Sequence, residues 1–372
     1  MADNSTTGNT PLNLAVIGGD GTGPEVVAQA LRILESPAIS GSFNLNVKAT
    51  HFDYGAKHYL ETGSVITDDQ VNELRAFDAI LLGAVGHPDV KPGVLEKGLL
   101  LKLRFDLDQY INLRPVKLYP GIDTPLAGKS SEDIDFVCVR ENTEDLYCGN
   151  GGRARVGTAQ EISTQEMIAT RFGVERCVRY AFELARTRPR KHLTLVHKTN
   201  VLTHCGGTWF DTFTDIASEY SDIQTDYHHV DACCMYMATK PEIYDTIVVP
   251  NMFGDIITDL GAAIAGGMGI ASSGNLNPDA SANSVSMFEP VHGSSPDIAG
   301  QNKANPLACI DSLAMLLRET GRVTEREALI SAGDQVAQAV QAVTPKFTGK
   351  RLDRSGYSTD EIGAMVLEAL EG

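Results

Sequence analysis

Residues 247–259 read IVVPNMFGDIITD, an apolar run that stops at a proline and turns directly into a stretch with helical spacing. Ile247 to Val249 suits a buried strand, Pro250 ends it, and Asp255 and Asp259 follow four residues apart, with both carboxylates on one helix face. A buried strand feeding a helix is the repeating unit of a parallel sheet. The same alternation recurs along the chain. Leu12–Ile17 reads as a strand before a helix over Val26–Leu34, and Leu45–Thr50 and Ala79–Leu82 read as further strands. Phe136–Val139 and Leu193–Val196 are strands, with helices over Phe172–Arg186, Trp209–Tyr220, Asn305–Leu317 and Glu325–Val343. The expected fold class is α/β.

At 372 residues with 42% hydrophobic content the chain can bury a large core, arranged as two domains or one large one. A formal charge of −17 argues against a nucleic-acid surface, while leaving room for a local basic pocket that takes a small acid. No apolar run is long enough to span a membrane, and the opening MADNSTTGNTP lacks the basic and apolar regions of a signal peptide, so a cytoplasmic location is expected. The cysteines number 7 with no C-x-x-C pair, which suits reduced, packing thiols.

Several residues stand out by type and place. Asp255 and Asp259 can offer oxygens to magnesium or manganese, although such pairs are common on solvated helix faces. Asp231 is a third acid of the same kind. Arg104, Arg114 and Arg140 are candidate carboxylate anchors, and Leu99, Leu100 and Leu101 form an apolar wall near the first; the plain alternative is a core stripe with surface arginines. Those leucines sit in a helix expected over Leu99–Gln109. Tyr147 is a candidate proton donor or simply a packed tyrosine, and Lys198, at a strand end, is a candidate base or a surface residue. His228 and His229 point to opposite sides of a strand and make poor joint ligands. The run GGDGTGPE at residues 18–25 does not fit G-x-G-x-x-G and reads as a tight strand-to-helix turn, and Gly149–Gly157 reads as the start of a hairpin excursion. Residues 286–300 read as a loop whose amides suit a phosphate, with Asp297 able to accept from ribose hydroxyls.

Taken in order, VRENTEDLY, HKTN, VDA, NMFGDIITD and FEPVHGSSPDIAGQNKANP resemble the β-decarboxylating dehydrogenases of 2-hydroxy acids, the isocitrate/isopropylmalate dehydrogenase family. The resemblance implies two α/β domains that are not standard Rossmann domains, one from residues 1–109 and 266–372, the other from 110–265 with dimerisation helices and a strand arm. It also implies a homodimer with shared active sites, Lys198 and Asp231 being supplied by the other subunit. By the same resemblance Arg104, Arg114 and Arg140 hold the malate carboxylates, Asp231 serves substrate and metal, and Asp231, Asp255 and Asp259 hold Mg2+ or Mn2+. Lys198 takes the hydroxyl proton and Tyr147 returns one to carbon. Glu289, His292, Gly293, Ser294, Asp297, Ile298 and Asn305 are implied as the cofactor site. The Asp297-Ile298 pair implies NAD, since a carboxylate there repels a 2′-phosphate.

The substrate is read from what precedes Arg104. Isocitrate enzymes of the family place a serine and an asparagine where this chain has Gly98 and Leu100, so Leu100 and Leu101 favour an isopropyl group and 3-isopropylmalate, with a role in leucine biosynthesis. RENTEDLY and the NLNPD of residues 275–279 resemble instead the tartrate and D-malate branch, and Lys97 stands where many isopropylmalate enzymes carry an acid. A different class of reading is a non-catalytic regulatory subunit, but such subunits usually lose an aspartate, an arginine or the lysine that this chain keeps.

Overall fold

The computed structural model describes residues 11–279, 285–350, 352 and 355–372. The chain divides into two compact units, one of residues 1–109, 119–123 and 266–372, the other of residues 110–118 and 124–265. It starts in the first unit with β1 (Leu12–Gly19), α1 (Gly23–Leu34), β2 (Val47–Phe52), α2 (Ala56–Thr62), α3 (Asp68–Leu74), β3 (Ala79–Ala84) and α4 (Lys102–Asp106). The second unit contributes β4 (Ile111–Lys117), β5 (Asp135–Glu141), β6 (Gly151–Ala154), β7 (Ile162–Gln165), α5 (Arg171–Thr187), β8 (His192–His197), α6 (Thr203–Ala217), β9 (Gln224–His229), α7 (Val230–Thr239), β10 (Thr246–Val249) and α8 (Asn251–Ile264). The chain then returns to the first unit with β11 (Ser272–Leu276), β12 (Ser286–Pro290), α9 (Leu307–Val323), α10 (Glu327–Val343) and α11 (Thr359–Glu371). This is the α/β class expected from the alternation.

In the first unit the strands lie in the order β2-β1-β3-β12-β11, all pairs parallel except β11 with β12. The central strand β3 is apolar along its whole length, as suits a strand covered by helices on both faces. Every residue of β3 is buried, and α9 is so buried that its apolar and small residues run almost unbroken from Leu307 to Leu317. In the second unit the order is β4-β5-β10-β8-β9, parallel except for β4 with β5. Pro24 occupies the first turn of α1, where its missing N–H costs nothing, and α3 and α11 each start with a reciprocal capping box, Thr67 with Gln70 and Ser358 with Glu361.

Two local expectations change, and the hairpin after Gly149 is found as expected. The helix over Leu99–Gln109 is instead a π-type turn, Glu96–Leu101, followed by the short α4, because Asp108 adopts a left-handed φ of 46° that stops the helix. Residues 286–290 are strand, not loop: Met287 and Phe288 are fully buried, and β12 pairs with both β3 and β11. The excursion after Gly149 is the antiparallel hairpin β6–β7, with both strands exposed. α7 and α11 had no counterpart among the elements read from the sequence. In α7 the apolar residues do not keep to one face, which blurs the helical period.

Candidate active site

Register brings the second unit's residues together. β10 runs parallel between β5 and β8, with Val249 beside Arg140 and Val248 beside Leu195. The residues that leave the carboxyl ends of these strands therefore emerge side by side, which is where open α/β sheets place their ligands. They are Arg140 from β5, Lys198 after β8, and α8 with its two aspartates after β10.

Arg140 is the fixed point. It is 1% exposed, and its guanidinium donates from Nε and Nη2 to Asn251 Oδ1 at 3.0 and 2.8 Å and from Nη1 to Asp255 Oδ1 at 2.6 Å. Gly254 makes this possible, since a Cβ on that helical turn would run into the Arg140 side chain. The Arg140 guanidinium also lies 5.2 Å from the centre of the Tyr147 ring. Burial holds the Tyr147 hydroxyl above the usual phenol range, with Arg140 pulling it down and Asp255 pushing it further up. A phenol kept protonated beside a cation is a proton donor in waiting.

The turn that carries Tyr147 is built from acids that face inward. Glu141 accepts from the Thr143 N–H and hydroxyl at 2.7 and 2.8 Å and from the Glu144 N–H at 2.8 Å. Asp145, at a left-handed φ of 70°, accepts from the Met252 N–H at 2.8 Å and so joins the Tyr147 turn to the first turn of α8. Sequence reasoning assigned no role to Glu141 or Asp145, because acids in a polar run read as solvated. Their signal was the density of acids immediately after a buried strand.

Asp255 and Asp259 share one face of α8. Partial burial raises the Asp259 carboxyl first, the charge of Asp255 raises it further, and Arg114 and Arg140 lower it. Two acids that disfavour each other's charge beside a cationic wall fit a divalent cation. Arg114, on β4, is buried and donates from Nε to Asn112 Oδ1 at 2.9 Å. Lys198 and Asp231 pair at 2.5 Å, as the register of β8 on β9 requires, with His197 beside His229. The Lys198 hydrogen bond holds the Asp231 carboxyl below its usual range. Among the described residues no three acids, histidines or cysteines of this chain gather into one metal-sized group, so Asp231 does not join Asp255 and Asp259 within the chain.

In the first unit, Arg104 is buried and its Nη2 donates to Glu289 Oε1 at 3.2 Å, an oxygen that also accepts from Asn275 Nδ2 at 2.8 Å. Glu289, implied as a cofactor residue, thus spends one oxygen orienting Arg104. Leu99 is fully buried, while Leu100 and Leu101 are half-buried, with Leu100 packed on the core that contains Leu95 and Leu103. In the loop after β12 the Ser294 carbonyl accepts from Thr22, Gly293 and Asp297 are exposed, and Ile298 is half-buried. Two shielded side-chain nitrogens there have no hydrogen-bond partner, His292 Nε2 and Asn305 Nδ2. An unmet buried polar atom is costly. Asn305 Nδ2 is a donor and fits an acceptor on a ligand, whereas His292 Nδ1 donates to the Gly293 carbonyl at 3.0 Å, which leaves Nε2 of the neutral ring to accept from a ligand donor. Burial also lowers His292's pKa, keeping the ring neutral.

The isocitrate/isopropylmalate dehydrogenase family pattern matches residues 13–366. A 3-isopropylmalate dehydrogenase of Streptomyces avermitilis is 53% identical over 361 residues, covering 97% of this chain and 99% of the relative. One of Corynebacterium glutamicum is 49% identical over 361 residues, covering 97% and 100%. Among solved structures, isocitrate dehydrogenase from Methylococcus capsulatus matches with a TM-score of 0.83 at 32% identity, covering 97% of this chain and 99% of that one. The TT0538 protein from Thermus thermophilus gives 0.80 at 32% identity, covering 97% and 68%. With the family pattern spanning nearly the whole chain, and relatives about half identical end to end, this chain belongs to the isocitrate/isopropylmalate dehydrogenase family.

Proposed function

We propose that the chain is an NAD-dependent 3-isopropylmalate dehydrogenase, converting 3-isopropylmalate to 4-methyl-2-oxopentanoate and carbon dioxide in leucine biosynthesis. The observation that carries this reading is identity of about one half, over nearly the full length, to relatives that bear that name. Arg104, Arg114 and Arg140 bind the two malate carboxylates, and Leu100 and Leu101 take the isopropyl group in place of a third carboxylate. Lys198, steadied by Asp231, accepts the proton of the 2-hydroxyl as the hydrogen on that carbon leaves as hydride. The resulting 2-oxo acid carries a carboxylate β to its ketone and loses it as carbon dioxide. Tyr147 then delivers a proton to the carbon that lost the carboxylate, from a hydroxyl that burial keeps protonated.

Asp255, Asp259 and Asp231 suit Mg2+ or Mn2+, and His292, Gly293, Ser294, Asp297, Ile298 and Asn305 suit NAD, with Glu289 behind them. The bound cation supplies Lewis-acid stabilisation of negative charge on the substrate 2-oxygen, and NAD supplies the hydride acceptor. The chain works as a homodimer with Lys198 and Asp231 serving the partner's site. That reading is supported by apolar side chains left exposed in the second unit, Met235 on α7, Ile256 on α8, and Val156 and Ile162 at the β6–β7 hairpin. No helix among the described residues is long and apolar enough to cross a membrane, and a cytoplasmic location goes with this chemistry.

A second reading, a D-malate or tartrate dehydrogenase, draws on Asn275 of the NLNPD run. Its amide bonds the same Glu289 oxygen that holds Arg104, so this run bears on a substrate anchor. Product analysis tests the main reading. With 3-isopropylmalate, NAD and magnesium, NADH and carbon dioxide should form in equal amounts together with 4-methyl-2-oxopentanoate. NADH without carbon dioxide would contradict it.

A further inference from the structure

The glycine turn of residues 18–25 and the C-terminal helix α11 take no part in the chemistry above, yet both grip the loop assigned to the cofactor. Thr22 donates its backbone N–H and its hydroxyl to the Ser294 carbonyl oxygen at 2.8 and 3.2 Å. Gly21, at a φ of 57°, passes so close to that carbonyl that a Cβ would collide with it. Farther along the loop, Glu25 in the first turn of α1 accepts from the Gly300 N–H and from the Asn302 N–H, the latter at 3.2 Å. α11 holds the same stretch as well. The Thr359 N–H donates to the Asn302 carbonyl at 3.1 Å, and the Thr359 hydroxyl donates to the Ala304 carbonyl at 2.7 Å.

Asn302 is where these contacts meet. Its side chain is paired reciprocally with Asp360: Nδ2 donates to Asp360 Oδ2 at 3.1 Å, and Oδ1 accepts from the Asp360 N–H at 3.1 Å. The other Asp360 oxygen accepts from Gln29 Nε2 on α1 at 2.7 Å, so both helices are tied through one carboxylate. Asn302 sits at a φ of 56°, a left-handed conformation that asparagine tolerates better than most residues. An exposed loop with left-handed residues at Ser295, Gly300 and Asn302 would otherwise have to be ordered when its ligand arrives, and that ordering weakens binding.

We propose that Asn302 is a positioning residue for the cofactor: by pinning the loop to α1 and α11 it holds residues 292–305 in the shape that binds NAD, and so sets NAD affinity. The inference rests on reading this loop as the NAD site. Three variants test it, Asn302→Asp, Asp360→Asn and the double exchange, which restores a donor–acceptor pair with the roles reversed. In Asn302→Asp two carboxylates face each other, and the NAD dissociation constant and the KM for NAD should both rise roughly threefold to tenfold. In the double variant both should return most of the way to wild type. The kcat and the KM for 3-isopropylmalate should stay unchanged throughout, a split that a general loss of folding would not produce.

Unchanged NAD binding in Asn302→Asp, or a double variant no better than Asn302→Asp, would overturn the proposal. Hydrogen exchange of the wild-type protein separates this failure from that of the underlying reading. If NAD slows exchange across residues 292–305 while Asn302→Asp binds NAD normally, the pin alone is wrong. If NAD leaves exchange there untouched, the loop is not the NAD site and both fall.

Discussion

Arg140 Nη1 lies 2.6 Å from Asp255 Oδ1, joining a side chain that is 1% exposed to one that is 44% exposed. The pair therefore fixes a half-open carboxylate from a buried support. The support is held in turn by Asn251, one helical turn before Asp255, so side-chain hydrogen bonds tie strand β5 to helix α8 at the point where substrate and cation are proposed to meet.

Gly254 keeps that contact possible. Gly254→Ala should improve helix propensity yet force the Arg140 side chain aside, at a cost of about 1–3 kcal/mol in stability, as for overpacking of a core. Activity should fall by roughly tenfold or more, because displacements of about an ångström at a reacting centre are costly. Denaturant unfolding and steady-state rates would check both. A stabilised and fully active variant would show that Arg140 has room to move.

The leucine wall gives a specificity test. Leu100→Ala should lower kcat/KM for 3-isopropylmalate by roughly 10- to 200-fold, the range for lost apolar contact in a pocket, while changing D-malate turnover far less. An equal fall for both substrates would mean that Leu100 supports the fold of the first unit and does not read the substrate.

Glu141 makes stability depend on pH. Burial raises its carboxyl from an ordinary 4.5 to about 7, outweighing the hydrogen bonds from Thr143 and Glu144, which lower it. Because the folded value exceeds the unfolded one, its contribution is full below about 4.5 and is lost as pH rises through about 7. The melting temperature of the wild type minus that of Glu141→Gln should decline between pH 5 and pH 8. A flat difference would contradict the burial argument.

Shared sites predict complementation. Lys198→Gln and Tyr147→Phe should each be nearly inactive as homodimers. After mixing and subunit exchange, half of the dimers would be mixed and each would own one intact site, restoring roughly a quarter of wild-type turnover. No recovery, with exchange confirmed by mass spectrometry, would place Lys198 and Tyr147 in the same subunit's site.

The handover from strand to helix was legible because it depends on apolar period and on breakers such as Pro250, which local sequence carries. Residue types at the candidate site were legible for the same reason. What joins them was not. That Lys198 meets Asp231 follows from the register of β8 on β9, and that Arg140 meets Asp255 follows from β5 lying beside β10. Neither register is written in any one segment. Glu141 and Asp145 escaped notice because a buried acid differs from a solvated one only by the backbone N–H groups that approach it. Asn302 escaped notice because its partner lies 58 residues away on α11.

The most direct test of the central claim is a comparison of kcat/KM, by NADH formation with magnesium and NAD, across 3-isopropylmalate, D-malate, tartrate, isocitrate and homoisocitrate. The expected result is a clear preference for 3-isopropylmalate. A preference for D-malate or tartrate would contradict the assignment and transfer it to the branch that shares NLNPD, and no turnover of any of them would contradict the enzymatic reading itself.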